Sequence, residues 1–178
     1  MKLKSITYSQ FEGAKREWKV NDLTLGPINL LVGKNTSGKT RMLSIIGALG
    51  NLVAGDLKPA FLSGSYDASF EHTGKVLNYI LVYRDSQVVK EEFTFNGEKF
   101  IKRGRGGRGK IFFEKTQKYD QFQTPQNELA AVARRDSVQH SFLEPLHEWG
   151  RSIRHFQFWY TYGERESSHH CKRSKDRF

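Results

Sequence analysis

The spacing of apolar residues changes along the chain, and each change marks a different element. Residues 3–11 alternate weakly and predict a first strand, and Trp18, Val20, Leu23 and Leu25 predict a second. Gly26-Pro27 is a turn signal. The run Ile28-Asn29-Leu30-Leu31-Val32 is short and almost wholly apolar, which predicts a buried central strand. The period then lengthens. Met42, Leu43, Ile45, Ile46, Leu49, Leu52 and Val53 recur at three and four, placing one broad apolar face on a helix. Gly50-Asn51 and Gly55 are stop signals for it.

Between Lys75 and Lys115 the period shortens to two. Residues 76–83 and 88–95 read as strands joined by an Arg84-Asp85-Ser86 turn. Asn96-Gly97 is a strong hairpin signal, and Phe100-Ile101 opens the return strand. A Gly/Arg stretch from Arg103 to Gly109 interrupts before Ile111-Phe112-Phe113 resumes. This predicts an antiparallel β module distinct from the strand, loop and helix before it. From Glu128 the pattern is helical through Leu129, Ala130, Val132 and Ala133. A second helix is expected to begin at Pro145, a residue tolerated at the first helical position, with Leu146, Trp149 and Ile153 on one face. Residues 156–162 are aromatic-rich and read as a strand. Residues 167–178 are polar and basic, without periodicity, and are expected to fray.

Composition changes this picture little. A chain of 178 residues suits one domain, and 37% hydrophobic residues exclude a disordered composition. A single cysteine, Cys171, excludes an internal disulfide and fits a reducing compartment. The start, Met1-Lys2-Leu3-Lys4-Ser5, lacks the apolar core of a signal peptide, and no apolar run is long enough to span a bilayer. A cytoplasmic protein with no membrane partner is the expectation. Charge matters more. The net charge of +10 draws polyanions, so DNA or another nucleic acid is an expected class of partner, although a nucleotide site also needs positive potential.

The most specific chemistry lies between the apolar run and the first helix. Gly33-Lys34-Asn35-Thr36-Ser37-Gly38-Lys39-Thr40 matches the phosphate-binding pattern Gly-x4-Gly-Lys-Ser/Thr in full. Gly33 and Gly38 let the backbone approach phosphate oxygens with no Cβ in the way. Successive N–H groups make an anion nest, to which the following helix adds the positive end of its dipole. Lys39 is expected to reach the β- and γ-phosphates, Thr40 to give its hydroxyl to Mg²⁺, and Arg41 to border the same site. The expected cofactors are ATP and Mg²⁺.

With its context, the segment from Pro27 to Thr40 resembles the start of an ABC-type ATPase head, nearest the RecF, SMC and OLD-nuclease group of AAA family ATPases. Asn35 ahead of Ser37-Gly38-Lys39, the strand pair within the first forty residues, and the antiparallel region after the first helix carry the likeness. It is specific over residues 1–53 and only architectural over 54–162. It implies an α/β P-loop NTPase: the first lobe of such a head with an antiparallel β module, truncated. The lobe would span 1–162, divided into 1–53, the hairpins at 75–115 and the helical segment and strand at 127–162, with a polar tail at 163–178. It also implies a head-to-head homodimer, or a partner ATPase or nuclease, in a full-length form. The family's glutamine loop, signature helix and Walker B Asp-Glu strand are not matched, so ATP is expected to bind with little or no turnover. Ile80-Leu81-Val82-Tyr83-Arg84-Asp85 superficially resembles a Walker B strand, but Ser86 follows and the segment lies in the hairpins; it reads as a plain strand. Gln123, Gln126 and Gln139 are unselected candidates for the glutamine loop.

Other features have plainer readings. Arg103-Gly104-Arg105-Gly106-Gly107-Arg108-Gly109-Lys110 resembles nucleic-acid-binding arginine–glycine segments but reads first as a solvated hairpin loop. His169, His170 and Cys171 carry metal-ligand chemistry without a second ligand pair at useful spacing. Trp149, Phe156, Phe158, Trp159 and Tyr160 fit core packing better than base stacking. A different functional class also fits the chain: a basic nucleic-acid- or partner-binding protein whose nucleotide site is vestigial or regulatory. A P-loop kinase fits less well with the long antiparallel insert, and a GTPase would carry Asn-Lys-x-Asp, an order that Lys34-Asn35 reverses.

Overall fold

The computed structural model describes residues 1–34, 37–59 and 63–156. Among these, eight strands form one antiparallel sheet and three α-helices accompany it, giving an α/β protein. The strands are β1 (Lys2–Gln10), β2 (Trp18–Thr24), β3 (Ser63–His72), β4 (Lys75–Arg84), β5 (Gln87–Phe95), β6 (Glu98–Arg103), β7 (Arg108–Phe113) and β8 (Lys118–Gln123). The helices are α1 (Lys39–Ala54), α2 (Ala130–Ala133) and α3 (Glu144–Ser152). Sheet order is β2-β1-β3-β4-β5-β6-β7-β8, so α1 is a single excursion in an otherwise sequential meander. The β module is therefore not separate from the N-terminal strands: β1 pairs with β3 over the register Lys2↔Glu71 to Ser9↔Ser65.

Turn chemistry fixes the hairpins where the sequence signalled them. Asp85 and Ser86 have φ 49° and 60°, and Asn96 and Gly97 have φ 49° and 88°. Positive φ at both central residues twists a two-residue turn to match its strands. Pleating then sorts the side chains. Leu77, Tyr79, Leu81 and Tyr83 of β4 are buried together with Tyr66, Ala68 and Phe70 of β3. Ile45, Leu49, Leu52 and Val53 of α1 and Leu146 and Trp149 of α3 join the same core, with Trp149 edge-on to Phe70 at 4.7 Å between centroids. Burying each such side chain stabilises the fold by about 1.5–3 kcal/mol. Alternate residues on the strands face away from the helices.

The two longer helices meet at glycines. A Cβ on Gly150 would lie 2.5 Å from the Gly50 carbonyl oxygen and 2.8 Å from Val53 Cγ2. The missing side chain is what lets α3 approach α1 so closely. Pro145 sits in the first turn of α3 as expected. α2 is shorter than its pattern suggested, only four residues, and its N-terminus is held from the sheet. Glu91 of β5 accepts hydrogen bonds from the Ala130 and Ala131 N–H groups at 2.7 and 2.8 Å. The same carboxylate accepts from the Tyr79 hydroxyl at 3.0 Å and from Arg103 Nη1 at 3.2 Å. Arg103 also donates to the carbonyls of Glu128 (2.5 Å) and Pro125 (2.8 Å). Both charged side chains are wholly buried.

Two expectations change here. Residues 28–32 do not form a central strand; Ile28, Leu30 and Val32 are 93%, 86% and 80% exposed. The last ladder bond, Leu25 N–H to the Lys4 carbonyl at 2.7 Å, ends the pairing, and Gly26-Pro27 turns the chain off the sheet beside its edge strand β2. An apolar run becomes a buried strand only where strands flank it. The Gly/Arg stretch, in turn, is a solvated hairpin loop only over residues 104–106, its ends belonging to the strands. Arg103 ends β6 in the core, residues 104–107 make a short turn with Gly106 and Gly107 at positive φ, and Arg108 begins β7. The expected strand at 156–162 falls outside the described residues except for Phe156, which is exposed. The tail, with His169, His170 and Cys171, also falls outside them, as do Phe158, Trp159 and Tyr160. No helix of the described residues is long and apolar enough to cross a membrane.

Candidate functional site

The Gly-rich loop opens α1. Its last glycine, Gly38, is the helix N-cap at φ 87°, a left-handed conformation that costs an L-residue about 1–2 kcal/mol. As a glycine the cap residue brings no side chain to this end, and the first turn carries no acid. The first intrahelical bond runs from Met42 N–H to the Gly38 carbonyl at 2.9 Å, so the N–H groups of Lys39, Thr40 and Arg41 precede the helical ladder. These donors stand at the positive end of a 16-residue helix dipole, an arrangement whose chemistry suits an anion.

Lys39 folds back over its own loop. Its Nζ donates to the Gly33 carbonyl at 2.6 Å, the Lys34 carbonyl at 2.7 Å and Ser37 Oγ at 3.3 Å. The ammonium is thus held at the mouth of the loop by three neutral acceptors, each weaker for a cation than an anionic oxygen. Gly33 is closely backed: a Cβ there would meet Ser37 Oγ at 2.9 Å. Ser37 N–H closes the turn onto the Lys34 carbonyl at 3.2 Å. The side chain of Thr40 is exposed, and its carbonyl accepts from Ser44 Oγ at 2.9 Å. Asn35 and Thr36 lie outside the described residues.

Sequence reasoning missed what positions the loop. Gln10 and Trp18 are cross-strand partners on β1 and β2. The Arg41 guanidinium stacks over the Trp18 ring at 4.3 Å and donates to Gln10 Oε1 at 2.6 Å. Trp18 also backs Gly38, whose Cβ position lies 3.6 Å from the indole. Trp18 itself rests against Tyr8, whose ionisation burial pushes up. The helix start is therefore clamped to the β1–β2 hairpin, an exposed cation–π contact of about 0.5–1 kcal/mol contributing. Arg41 is turned to this clamp. The signal was present as an aromatic at the start of β2, but only tertiary pairing shows what it faces.

Other candidates are placed elsewhere. Asp85, at the end of the segment resembling a Walker B strand, sits in the β4–β5 turn, so that segment is a plain strand. Gln123 ends β8, at the sheet edge opposite β2. Gln126 and Gln139 offer their carbonyls to Val88 and Glu114 N–H groups. Among the described residues no group of three or more His, Cys, Asp or Glu could hold a metal ion. A cleft of about 310 Å³ between the ends of β1, β3 and β4, lined by Ser9, Ser65 and Val82, includes none of the loop residues. Comparison of the chain with family models, with curated proteins and with solved structures finds no match.

Proposed function

We propose that residues 33–40 hold the phosphate chain of a nucleoside triphosphate, most readily ATP, and that the protein is a nucleotide-binding module of the RecF/SMC/OLD-like kind. The observation that carries this reading is the coincidence of a full Gly-x4-Gly-Lys-Thr sequence with a helix N-terminus whose cap is the left-handed Gly38. Helix N-termini are normally satisfied by a Ser, Thr, Asp or Asn side chain. Here the position is a glycine, with three N–H groups ahead of the helical ladder and a lysine bent over the loop mouth.

In this reading, the loop N–H groups and the helix dipole take the α- and β-phosphate oxygens. Lys39 would hold the β- and γ-oxygens in place of its neutral partners, the Gly33 and Lys34 carbonyls and the Ser37 hydroxyl, gaining an anionic acceptor that makes a bond roughly twice as strong. Magnesium fits through the Thr40 hydroxyl, since this ion keeps most of its shell in water and phosphate oxygens and needs few protein ligands. When bound, it would neutralise phosphate charge and fix the conformation of the chain. Gln10 and Trp18 hold Arg41, and with it the first turn of α1, in place. The reading assigns binding rather than turnover, because phosphoryl transfer needs a carboxylate to order metal and water, and Asp85 stands in a hairpin turn. Titration with ATP, ADP and AMP in the presence of Mg²⁺ tests it: affinity should fall in that order, and equal affinity for AMP and ATP would overturn phosphate recognition.

A further inference from the structure

The pleat leaves one face of the sheet turned away from α1 and α3, and its character changes across the strands. On β1 and β3 it is mixed, as in the Lys4–Glu71 ion pair at 3.4 Å. On β5 to β8 it is basic. The register places Lys90 and Glu92 of β5, Lys99 and Lys102 of β6, and Arg108 and Lys110 of β7 on this face. Glu92 is the one carboxylate among them, and it already bonds Lys99 at 2.9 Å and Lys90 at 3.7 Å. Burial alone would raise its pKa. The Lys99 hydrogen bond and the charges of Lys90, Lys99 and Lys102 outweigh that and lower it, so the carboxylate is saturated by cations.

Lys102, opposite Glu92 across β5 and β6, shares that one carboxylate with Lys90 and Lys99, and among the described residues Arg108 and Lys110 make no ion pair. Lys102 and Lys110 are directly opposed across β6 and β7, and both are exposed. Like charges in this arrangement repel and destabilise the pair. Arg108 lies two residues from Lys110, on the same side. Next to this row stand two aromatics. Phe112 pairs with Tyr119 of β8, their centroids 5.2 Å apart, and Tyr119 is 51% exposed. The juxtaposition is an antiparallel surface with a repelling row of ammonium and guanidinium groups beside an exposed ring.

From this juxtaposition we infer that the open face of β5–β8 binds a single nucleic-acid strand, with Lys102, Arg108 and Lys110 on phosphates and Tyr119 stacked on a base. The cations would relieve their mutual repulsion by taking anionic oxygens. A ring standing on an open sheet face meets an unpaired base, whereas a duplex keeps its bases stacked away. The surface does not depend on the nucleotide loop, which adjoins β2 at the other edge of the sheet.

The test is fluorescence anisotropy on the full chain with labelled oligothymidylate, a blunt duplex of equal length and polyglutamate. The strand should bind with an affinity that falls with salt, each phosphate contact contributing about 0.7 to the log–log slope. K102A/K110A should lower that slope by about 1.4 and leave thermal stability equal or higher, because repulsion is removed. Tyr119→Ala should weaken strand binding roughly 5- to 100-fold while keeping the slope. Lys39→Ala should bind the strand as the parent does, which separates this surface from the nucleotide reading. Tighter binding of the duplex, equal binding of polyglutamate, an unchanged slope in K102A/K110A, or loss of strand binding in Lys39→Ala would each overturn the assignment.

Discussion

Removing the Glu91 carboxylate is the sharpest perturbation of the fold. Four donors converge on it: the Tyr79 hydroxyl, Arg103 Nη1 and the N–H groups of Ala130 and Ala131. None of the ion pair is exposed to water. Glu91→Ala leaves the Arg103 guanidinium buried without its counter-charge, and breaking a buried pair from one side typically costs about 3–5 kcal/mol. The start of α2 loses its acceptor as well, so the upper part of that range, about 4–5 kcal/mol, is expected. Domains of this kind have about 5–15 kcal/mol in all, so the variant should be marginal. With each kcal/mol moving the melting temperature of a chain this long by roughly 2–4 °C, the shift should be on the order of 10–20 °C. Urea unfolding followed by tryptophan fluorescence measures it. The double replacement Glu91→Leu with Arg103→Met should cost no more than the single, because the orphaned charge goes too, although carbonyls of Pro125 and Glu128 lose a donor. A single-variant cost below about 1 kcal/mol would refute the view that this pair ties the 124–131 segment to the sheet.

Three further outcomes follow from the same structure. Gly150→Ala should destabilise by about 1–3 kcal/mol in thermal unfolding, since its Cβ would press on the Gly50 carbonyl at 2.5 Å. Gly38→Ala should weaken ATP binding at least tenfold while leaving the sheet's circular dichroism intact, because alanine at φ 87° strains the loop that presents the N–H groups. Asp136 gives a pH effect. The Gln139 and Val138 N–H groups, each 2.8 Å from its Oδ1, hold its carboxyl below the usual range. A lowered folded-state pKa stabilises above the unfolded value, near pH 4, and that stability is lost as pH falls through the folded value. The stability gap between the parent and Asp136→Asn should therefore be open at about pH 6 and close towards about pH 3; a gap independent of pH would contradict it.

The parts legible in the sequence are those governed by local chemistry. The Asp85-Ser86 and Asn96-Gly97 turns needed only residues that accept positive φ, and α1 needed only its three-and-four spacing and Gly55, which caps it at φ 81°. β3 is not among the expected strands, though Gly64, Tyr66, Ala68 and Phe70 do alternate: small residues weaken a period that burial makes plain. β8 buries only Phe122, so it carries almost no apolar signature. Arg103 looked like one more cation in a solvated run. Its burial depends on acceptors from Glu91 and from residues 124–128, which no local pattern reveals. The loop's residues were legible in full; the Trp18–Arg41–Gln10 clamp was not, because cross-strand register sets it.

Calorimetric titration of Mg²⁺–ATP into the parent protein and into Lys39→Ala decides whether the loop holds a nucleotide. Saturable, one-site binding to the parent is expected, with loss of that binding in a variant whose unfolding curve is unchanged, since the Lys39 hydrogen bonds among the described residues stay within its own loop. Equal ATP affinity in the two proteins would contradict it.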